Sequence, residues 1–215
     1  MQANTTVGGP LLSRQVSAVL GLYAVLGGAI SFAGWPLDMP RLTDWEKDYV
    51  AIQPNAAVLI TLAGSAMLLL QFGRPRLAVA LGGLVAFVGG LTLLQYVIGA
   101  DFGFNHQLLF GRTWGQGTTL TPGRVGPPAS ISLMFIGTGL VMLGLRAPQA
   151  IKARRFVPSM GLAVAFLMMF SLLGYLFKAR NFYSIPWLSA IEAPSKKPTR
   201  GTVFDSCGSA DSQSA

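Results

Sequence analysis

Charged residues are scarce in this sequence: only 11% of its 215 residues are Asp, Glu, Lys or Arg, and only 8 of those are acidic. The single cysteine, Cys207, excludes an internal disulfide and a cysteine-rich metal site. The single histidine, His106, has only Asp101 and Asn105 near it as further ligands, whereas a metal site needs three or more. The sequence also lacks a nucleotide-binding glycine loop, a Ser/His/Asp set and a plausible pair of carboxylates. We therefore expect no enzyme activity, no metal and no cofactor.

Hydrophobic residues make up 52% of the chain and are concentrated in long runs that are nearly free of charge. An α-helix rises ~1.5 Å per residue, so about 17–25 apolar residues cross a bilayer core roughly 30 Å thick. The sequence predicts an all-α integral membrane protein with about five transmembrane helices, rather than a soluble protein with buried helices. The first run has a poor cleavage site and is interpreted as a retained signal anchor. The predicted spans lie near 16–35, 55–71, 77–100, 129–145 and 157–177.

The net charge of +8 comes from basic residues in loops and in the tail, and not from one amphipathic face, so nucleic acid is not an expected partner. Two short connections carry only basic charge, whereas the longer connections at 36–54 and 101–128 mix both signs. Because positive loops favour the cytoplasm, we expect the N-terminus and the short connections inside. Five spans then put the basic C-terminal tail outside, which conflicts with its charge. The basic residues of the short connections are Arg74, Arg76, Arg146, Lys152, Arg154 and Arg155.

An internal repeat organises the predicted bundle, which we place at 14–187 between a disordered segment at 1–13 and a disordered polar tail at 188–215. Residues 50–58 align with 123–131, and the register continues through Gly64 and Gly137. Leu-Leu-Gln-Tyr at 93–96 likewise matches Leu-Leu-Gly-Tyr at 172–175. The repeat predicts one anchor helix followed by two parallel helix hairpins, with chance similarity of apolar helices as the alternative.

Small, polar and aromatic residues at the spans suggest how the helices are held. Glycine faces let helices approach closely in lipid, either within the chain or in a dimer. No ionisable residue lies centrally in a predicted span, which disfavours ion-coupled transport and pigment ligation. The candidate packing glycines are Gly27, Gly28, Gly64, Gly83, Gly90, Gly137 and Gly144; the candidate interhelical polar residues are Asn55 and Gln95; and the candidate interface anchors are Trp35, Trp45, Trp114 and Trp187.

Five short motifs are spaced along the loops and the helix ends: Gln-Pro-Asn-Ala-Ala at 53–57, Leu-Leu-Gln-Tyr-Val-Ile-Gly-Ala-Asp-Phe-Gly at 93–103, Asn-His-Gln-Leu-Leu-Phe at 105–110, Pro-Gly-Arg-Val-Gly-Pro at 122–127 and Leu-Leu-Gly-Tyr-Leu-Phe at 172–177. Together they resemble the N-terminal multi-helix membrane input domain of many bacterial sensor histidine kinases and diguanylate cyclases. The resemblance covers roughly residues 15–187. It implies a bacterial inner-membrane location and a role in signal transduction.

The family usually has a sixth helix and then output modules, whereas this sequence passes into a polar tail. The resemblance therefore implies a non-catalytic sensory or regulatory domain that works without a transmitter of its own. The alternative is an accessory subunit of a larger membrane complex of electron-transfer or photosynthetic type. The expected partners are the lipid bilayer and either other membrane subunits or a second copy of the chain.

Overall fold

The computed structural model describes the backbone of residues 9–43, 51–112, 114, 123–145 and 148–176, and every structural statement below concerns these residues. The regular secondary structure in these ranges is helical, without any strand, which confirms the all-α prediction. In chain order the helices are α1 (Gly9–Gly34), a 3-10 helix (Pro40–Leu42), α2 (Pro54–Gln71), α3 (Pro75–Ile98), a 3-10 helix (Gln107–Leu109), α4 (Pro127–Gly144), α5 (Pro148–Ala153), a 3-10 helix (Arg154–Phe156) and α6 (Val157–Leu176). Five of them, α1, α2, α3, α4 and α6, are long and apolar enough to cross a membrane.

Proline sets where the apolar helices begin. α2, α3 and α4 start at Pro54, Pro75 and Pro127, slightly before the apolar runs that predict them. Proline is tolerated there because the N–H it lacks would have no partner inside the helix. At the other end of the chain, α1 extends back to Gly9, so residues 9–13 are helical where the sequence predicts disorder. The remaining predicted disorder, at 1–8 and 188–215, lies outside the described residues.

The helices pack most extensively in two pairs, α1 with α2 and α3 with α4, while α2–α3 and α4–α6 contacts are smaller. The apolar core lies among α2, α3 and α4. In contrast, none of the described side chains of α6, which packs mainly on α4, is fully buried. The core side chains are Leu59, Ala63, Ala66, Ala78, Val85, Val125, Leu133 and Leu140.

Each close pair crosses at two facing glycines. A Cβ on Gly64 of α2 would lie 2.7 Å from the carbonyl oxygen of Gly21 in α1. A Cβ on Gly137 of α4 would lie 2.6 Å from the carbonyl oxygen of Gly82 in α3. Since a methyl group cannot fit at such distances, the backbones meet because these residues have no side chain.

The predicted packing glycines divide by the face they occupy. Gly28, Gly64, Gly137 and Gly144 lie at helix contacts where a Cβ would collide with a neighbour. Gly27 has nothing near its Cβ position, and at Gly83 and Gly90 a Cβ would make only ordinary contacts at 3.9 Å. In the pairs at 27–28, 82–83 and 89–90, one glycine lies against the backbone of the partner helix, and the other has room for a side chain. The glycines of these pairs that face the partner are Gly28, Gly82 and Gly89.

Candidate functional site: a polar cap at the loop end of the helices

Polar side chains, all of them buried except that of Asp101, converge where α1 and α3 end and where α2 and α4 begin. We call this cluster the polar cap and define it as Gln53, Asn55, Gln95, Asp101, Asn105 and Arg124. The short basic connections of the chain lie at the opposite ends of the helices, which we call the basic end.

Two tryptophans cover one side of this end of the protein. Trp35, at the end of α1, is completely buried, and its indole N–H donates to the Ile52 carbonyl at 3.0 Å. The Trp114 ring stacks on it with centroids 4.4 Å apart, and Trp114 Nε1 donates to Asp38 Oδ1 at 2.8 Å. Asp38 also pairs with Arg112 at 3.0 Å. Trp35, predicted as an interface anchor, is therefore buried beneath residues of the loops after α1 and α3.

Asn55, in the first turn of α2, binds two loop carbonyls. Its Nδ2 donates to the carbonyl of Gly123 at 2.9 Å and to that of Asn105 at 3.3 Å. The amide of Gly123 in turn donates to Gln53 Oε1 at 3.1 Å. Gly123 has φ +77°, and a Cβ there would collide with the Asn105 carbonyl, so only glycine fits. The residues at the start of α2 therefore hold Asn105, in the loop after α3, close to Gly123, which lies shortly before α4.

Asn105 connects that loop to the end of α3. Its side chain is 1% exposed, and its Nδ2 donates both to Gln95 Oε1 at 2.9 Å and to Asp101 Oδ1 at 2.7 Å. α3 ends at Gly99, whose φ of 72° lets the chain turn back. This turn brings Asn105 above Gln95, which is fully buried.

In the described part of the chain, both ion pairs at the cap involve the carboxylate of Asp101. Gly103 N donates to Asp101 Oδ1 at 3.0 Å, and the side chains of His106 and Arg124 approach the carboxylate at 3.4 and 3.8 Å. The backbone hydrogen bond is the main cause that lowers the pKa of Asp101; partial burial opposes it, and Asn105, Arg124 and His106 add to the lowering. The carboxylate therefore stays ionised as the acceptor of the cap.

Arg124 links Asp101 to the end of α3. Its guanidinium donates to the Ala100 carbonyl at 3.1 Å and lies over the Tyr96 ring, 5.1 Å from the centroid, while its side chain is only 10% exposed. A buried guanidinium needs such partners, since an unpaired charge is costly out of water.

Three buried polar atoms of the cap have no hydrogen-bond partner among the described residues: Gln95 Nε2, Asn105 Oδ1 and Arg124 Nε. Such atoms cost free energy, typically about 1–3 kcal/mol each. The cap therefore combines well-made hydrogen bonds with unused donors and an unused acceptor, and a different arrangement of the same groups, or a small polar molecule, would satisfy them.

The two predicted polar residues have other hydrogen-bond partners than the prediction gave them. Asn55 and Gln95 were expected to join helices to each other, but both bind the loop after α3. Asn105 and Arg124 were not predicted as site residues, although both lie in the motifs at 105–110 and 122–127. The described residues contain no group of three metal-ligating side chains around His106 or elsewhere. Trp45 and Trp187 lie outside the described residues.

Comparison of this chain with protein-family models, curated proteins and solved structures found no match. Its function must therefore be inferred from the geometry of the chain itself.

Proposed function

We propose that this chain is a multi-pass protein of the bacterial inner membrane that acts as a non-catalytic sensory or regulatory domain. In this proposal the polar cap responds to a stimulus outside the cytoplasm, and the response changes how α3 and α4 cross. The resemblance to the input domains of sensor kinases and diguanylate cyclases supports it, as does the length of the five apolar helices.

The observation that carries the proposal is the incompletely satisfied hydrogen-bond network of the cap. Gln95 belongs to the last turn of α3, so any rearrangement around Asn105 acts directly on that helix. Farther along α3, Gly82 and Gly89 form the close contact with α4. A regulatory domain needs an element with two accessible arrangements that is coupled to helix packing. In our proposal the cap, with its unpaired polar atoms, is that element, and the glycine crossing is the packing that it changes.

Spin labels test the coupling between cap and crossing. We would place labels at the exposed residues Leu94 of α3 and Ile136 of α4, in protein whose Cys207 is replaced by serine. The proposal expects Asn105→Ala, which breaks the cap, to shift the distribution of distances between the labels in lipid nanodiscs. The matched control is Gln107→Ala, an exposed residue of the same loop. An identical distribution in all three proteins would refute the coupling.

Orientation is tested separately with reporter fusions. The basic connections and the absence of acidic residues there support a cytoplasmic basic end and a cap on the opposite side. A reporter inserted at Gly73 should be cytoplasmic, and one fused after Arg200 should not. A cytoplasmic signal from the second fusion would reverse the orientation or change the number of spans.

A second candidate function, an accessory subunit of a larger complex, is favoured by α6. In the predicted repeat, Gly161 of α6 corresponds to Gly82 of α3. Gly82 is covered by α4, whereas nothing lies near the Cβ position of Gly161. If the predicted repeat holds, α6 presents to a partner helix the same face that α3 presents to α4.

Purification in mild detergent distinguishes the two functions. A sensory domain should purify alone or as a homodimer. A stoichiometric complex with unrelated membrane subunits would instead support the subunit function and refute the stand-alone domain.

A further inference from the structure

Positive charge without any compensating acid marks the basic end. The described residues contain only two acidic side chains, Asp38 and Asp101, and both belong to the loops at the opposite end. The described cations of the basic end therefore have no carboxylate partner among the described residues. They are Arg14, Arg74, Arg76, Lys152, Arg154 and Arg155.

Some of these cations are already used by the protein. Arg14 donates to the carbonyl of Gln71 at 3.2 Å. Arg154 donates to three carbonyls at the end of α4, those of Met142, Leu143 and Leu145, at 3.1, 2.9 and 2.9 Å. Arg154 thereby caps the helix end, where a positive charge is favourable.

Arg74 and Arg76 differ from them. Both side chains are exposed, and neither forms an ion pair or a side-chain hydrogen bond within the described part of the chain. They stand on either side of Pro75, at the start of α3, where no side chain caps the first turn. A guanidinium offers several donors in a plane that matches the oxygens of a phosphate. These two residues therefore have donors available for an acceptor-rich anion.

The two arginines line an open groove of 740 Å³ between the α2–α3 turn and the end of α4. Its other walls are mostly apolar and include Leu77, Val79 and Leu145. The groove lies at the start of α3 and the end of α4, where a spanning helix meets the headgroup layer. A lipid with a phosphate headgroup and apolar chains has the same division into an anionic part and an apolar part.

We infer that this groove is a binding site for the headgroup of an anionic phospholipid, with Arg74 and Arg76 on the phosphate and the apolar wall along the upper acyl chain. Basic pockets between helices on the cytoplasmic side suit such headgroups. The apolar wall favours a lipid over free phosphate, which would leave Leu77, Val79 and Leu145 without a partner. The inference rests on the membrane placement proposed above and not on the proposed motion of the cap.

Native mass spectrometry of the protein in neutral detergent measures the binding. We expect phosphatidylglycerol to bind more tightly than phosphatidylcholine of the same chain length. The double variant Arg74→Gln/Arg76→Gln should weaken phosphatidylglycerol binding by about 30-fold, if each arginine contributes as basic residues do at anionic surfaces. Phosphatidylcholine has a phosphate too, but its choline cation offsets that charge, so its binding should weaken less than that of phosphatidylglycerol. Equal binding of the two lipids by the unaltered protein would overturn the inference.

A matched control separates this groove from general positive charge. Lys152→Gln/Arg155→Gln removes the same charge at the same end, but neither residue lines the groove. It should retain phosphatidylglycerol binding within about twofold, and an equal loss in both double variants would overturn the site. Inorganic phosphate and the glycerophosphoglycerol headgroup without acyl chains should compete only weakly. If either displaced the lipid at equal concentration, the groove would be a simple anion site.

Failure of the lipid-binding inference can be distinguished from failure of the proposed function. If reporter fusions showed that the chain does not span the membrane, the placement itself would fail. A spanning chain without lipid preference would overturn only the groove, and an unchanged spin-label distance would overturn only the sensory coupling.

Discussion

Replacing Asn105 by alanine is the sharpest perturbation of the polar cap. The change removes the donor that Gln95 Oε1 accepts at 2.9 Å and the one that Asp101 Oδ1 accepts at 2.7 Å. Asp101 is partly exposed, so water can replace its lost partner at a cost of about 1 kcal/mol. Gln95 is fully buried and cannot be rescued in this way, which costs a further 1–3 kcal/mol or so. Removing the unpaired Asn105 Oδ1 offsets about 1 kcal/mol of this, so we expect a net loss of roughly 1–3 kcal/mol.

Unfolding of the detergent-solubilised protein by sodium dodecyl sulfate measures this loss, with tryptophan fluorescence as the signal because Trp35 is buried and stacked at the same end. Gln107→Ala, an exposed change in the same loop, should stay within about 0.5 kcal/mol of the unaltered protein. A cost below that limit for Asn105→Ala would refute the described geometry.

A double-mutant cycle tests whether the unpaired Gln95 oxygen is the cause. Gln95→Leu removes the buried amide, so adding Asn105→Ala to it should cost less than in the unaltered protein, by about 1 kcal/mol or more. Strict additivity of the two changes would show that the side chains do not interact.

Three further predictions use thermal unfolding in detergent. Gly137→Ala should destabilise the protein by about 1–3 kcal/mol, because the new Cβ would meet the backbone of α3. Gly27→Ala, which has open space around its Cβ position, should be neutral or slightly stabilising. Equal effects of the two substitutions would contradict the glycine crossing of α3 and α4. Gly123→Ala should cost more than Gly103→Ala, because both have positive φ but only the first would also collide with a carbonyl. The hydrogen bond from the Gly103 amide and the other cap contacts lower the pKa of Asp101, so its contribution to stability is present above about pH 4 and is lost as pH falls through the lower folded pKa. Asp101→Asn should therefore flatten the acid side of the stability profile, and an unchanged acid limb would exclude this carboxylate.

The helices could be predicted because their cause is local. Apolar runs of spanning length give five helices close to their observed bounds, except at the start of α1. The extension of α1 to Gly9 could not be predicted, since residues 9–13 resemble a polar terminus by composition. For the glycine pairs, composition shows that a close approach is possible. Which of two neighbouring glycines faces the partner depends on the rotation of the helix, and that rotation is set by tertiary packing.

The cap was only partly predictable because its contacts join distant parts of the chain. Asn55 and Gln95 stand out as rare polar groups beside apolar spans. Their partners could not be identified, because a loop carbonyl has no sequence signal. Asn105 reaches Gln95 only because the chain reverses at Gly99, whose left-handed conformation ends α3. A glycine after an apolar run signals a helix end, but the sequence does not show where the loop then leads.

The cap and the helix contact both hold α3 in its register. Side chains that interdigitate lock two helices against sliding, and Val85, Leu133 and Leu140 pack together in the core that α3 and α4 share. Gly82 and Gly137 add a close approach of the two backbones. The end of α3 is held in addition through Gln95 by Asn105, whose carbonyl is bound by Asn55 of α2. Under the proposed function, a change in cap hydrogen bonding would act on the position of α3 relative to α2 and, through the glycine contact, on its register with α4. If Asn105→Ala lowered stability without moving the α3–α4 distance, the register would be set by the helix contact itself and the cap would have only a structural role.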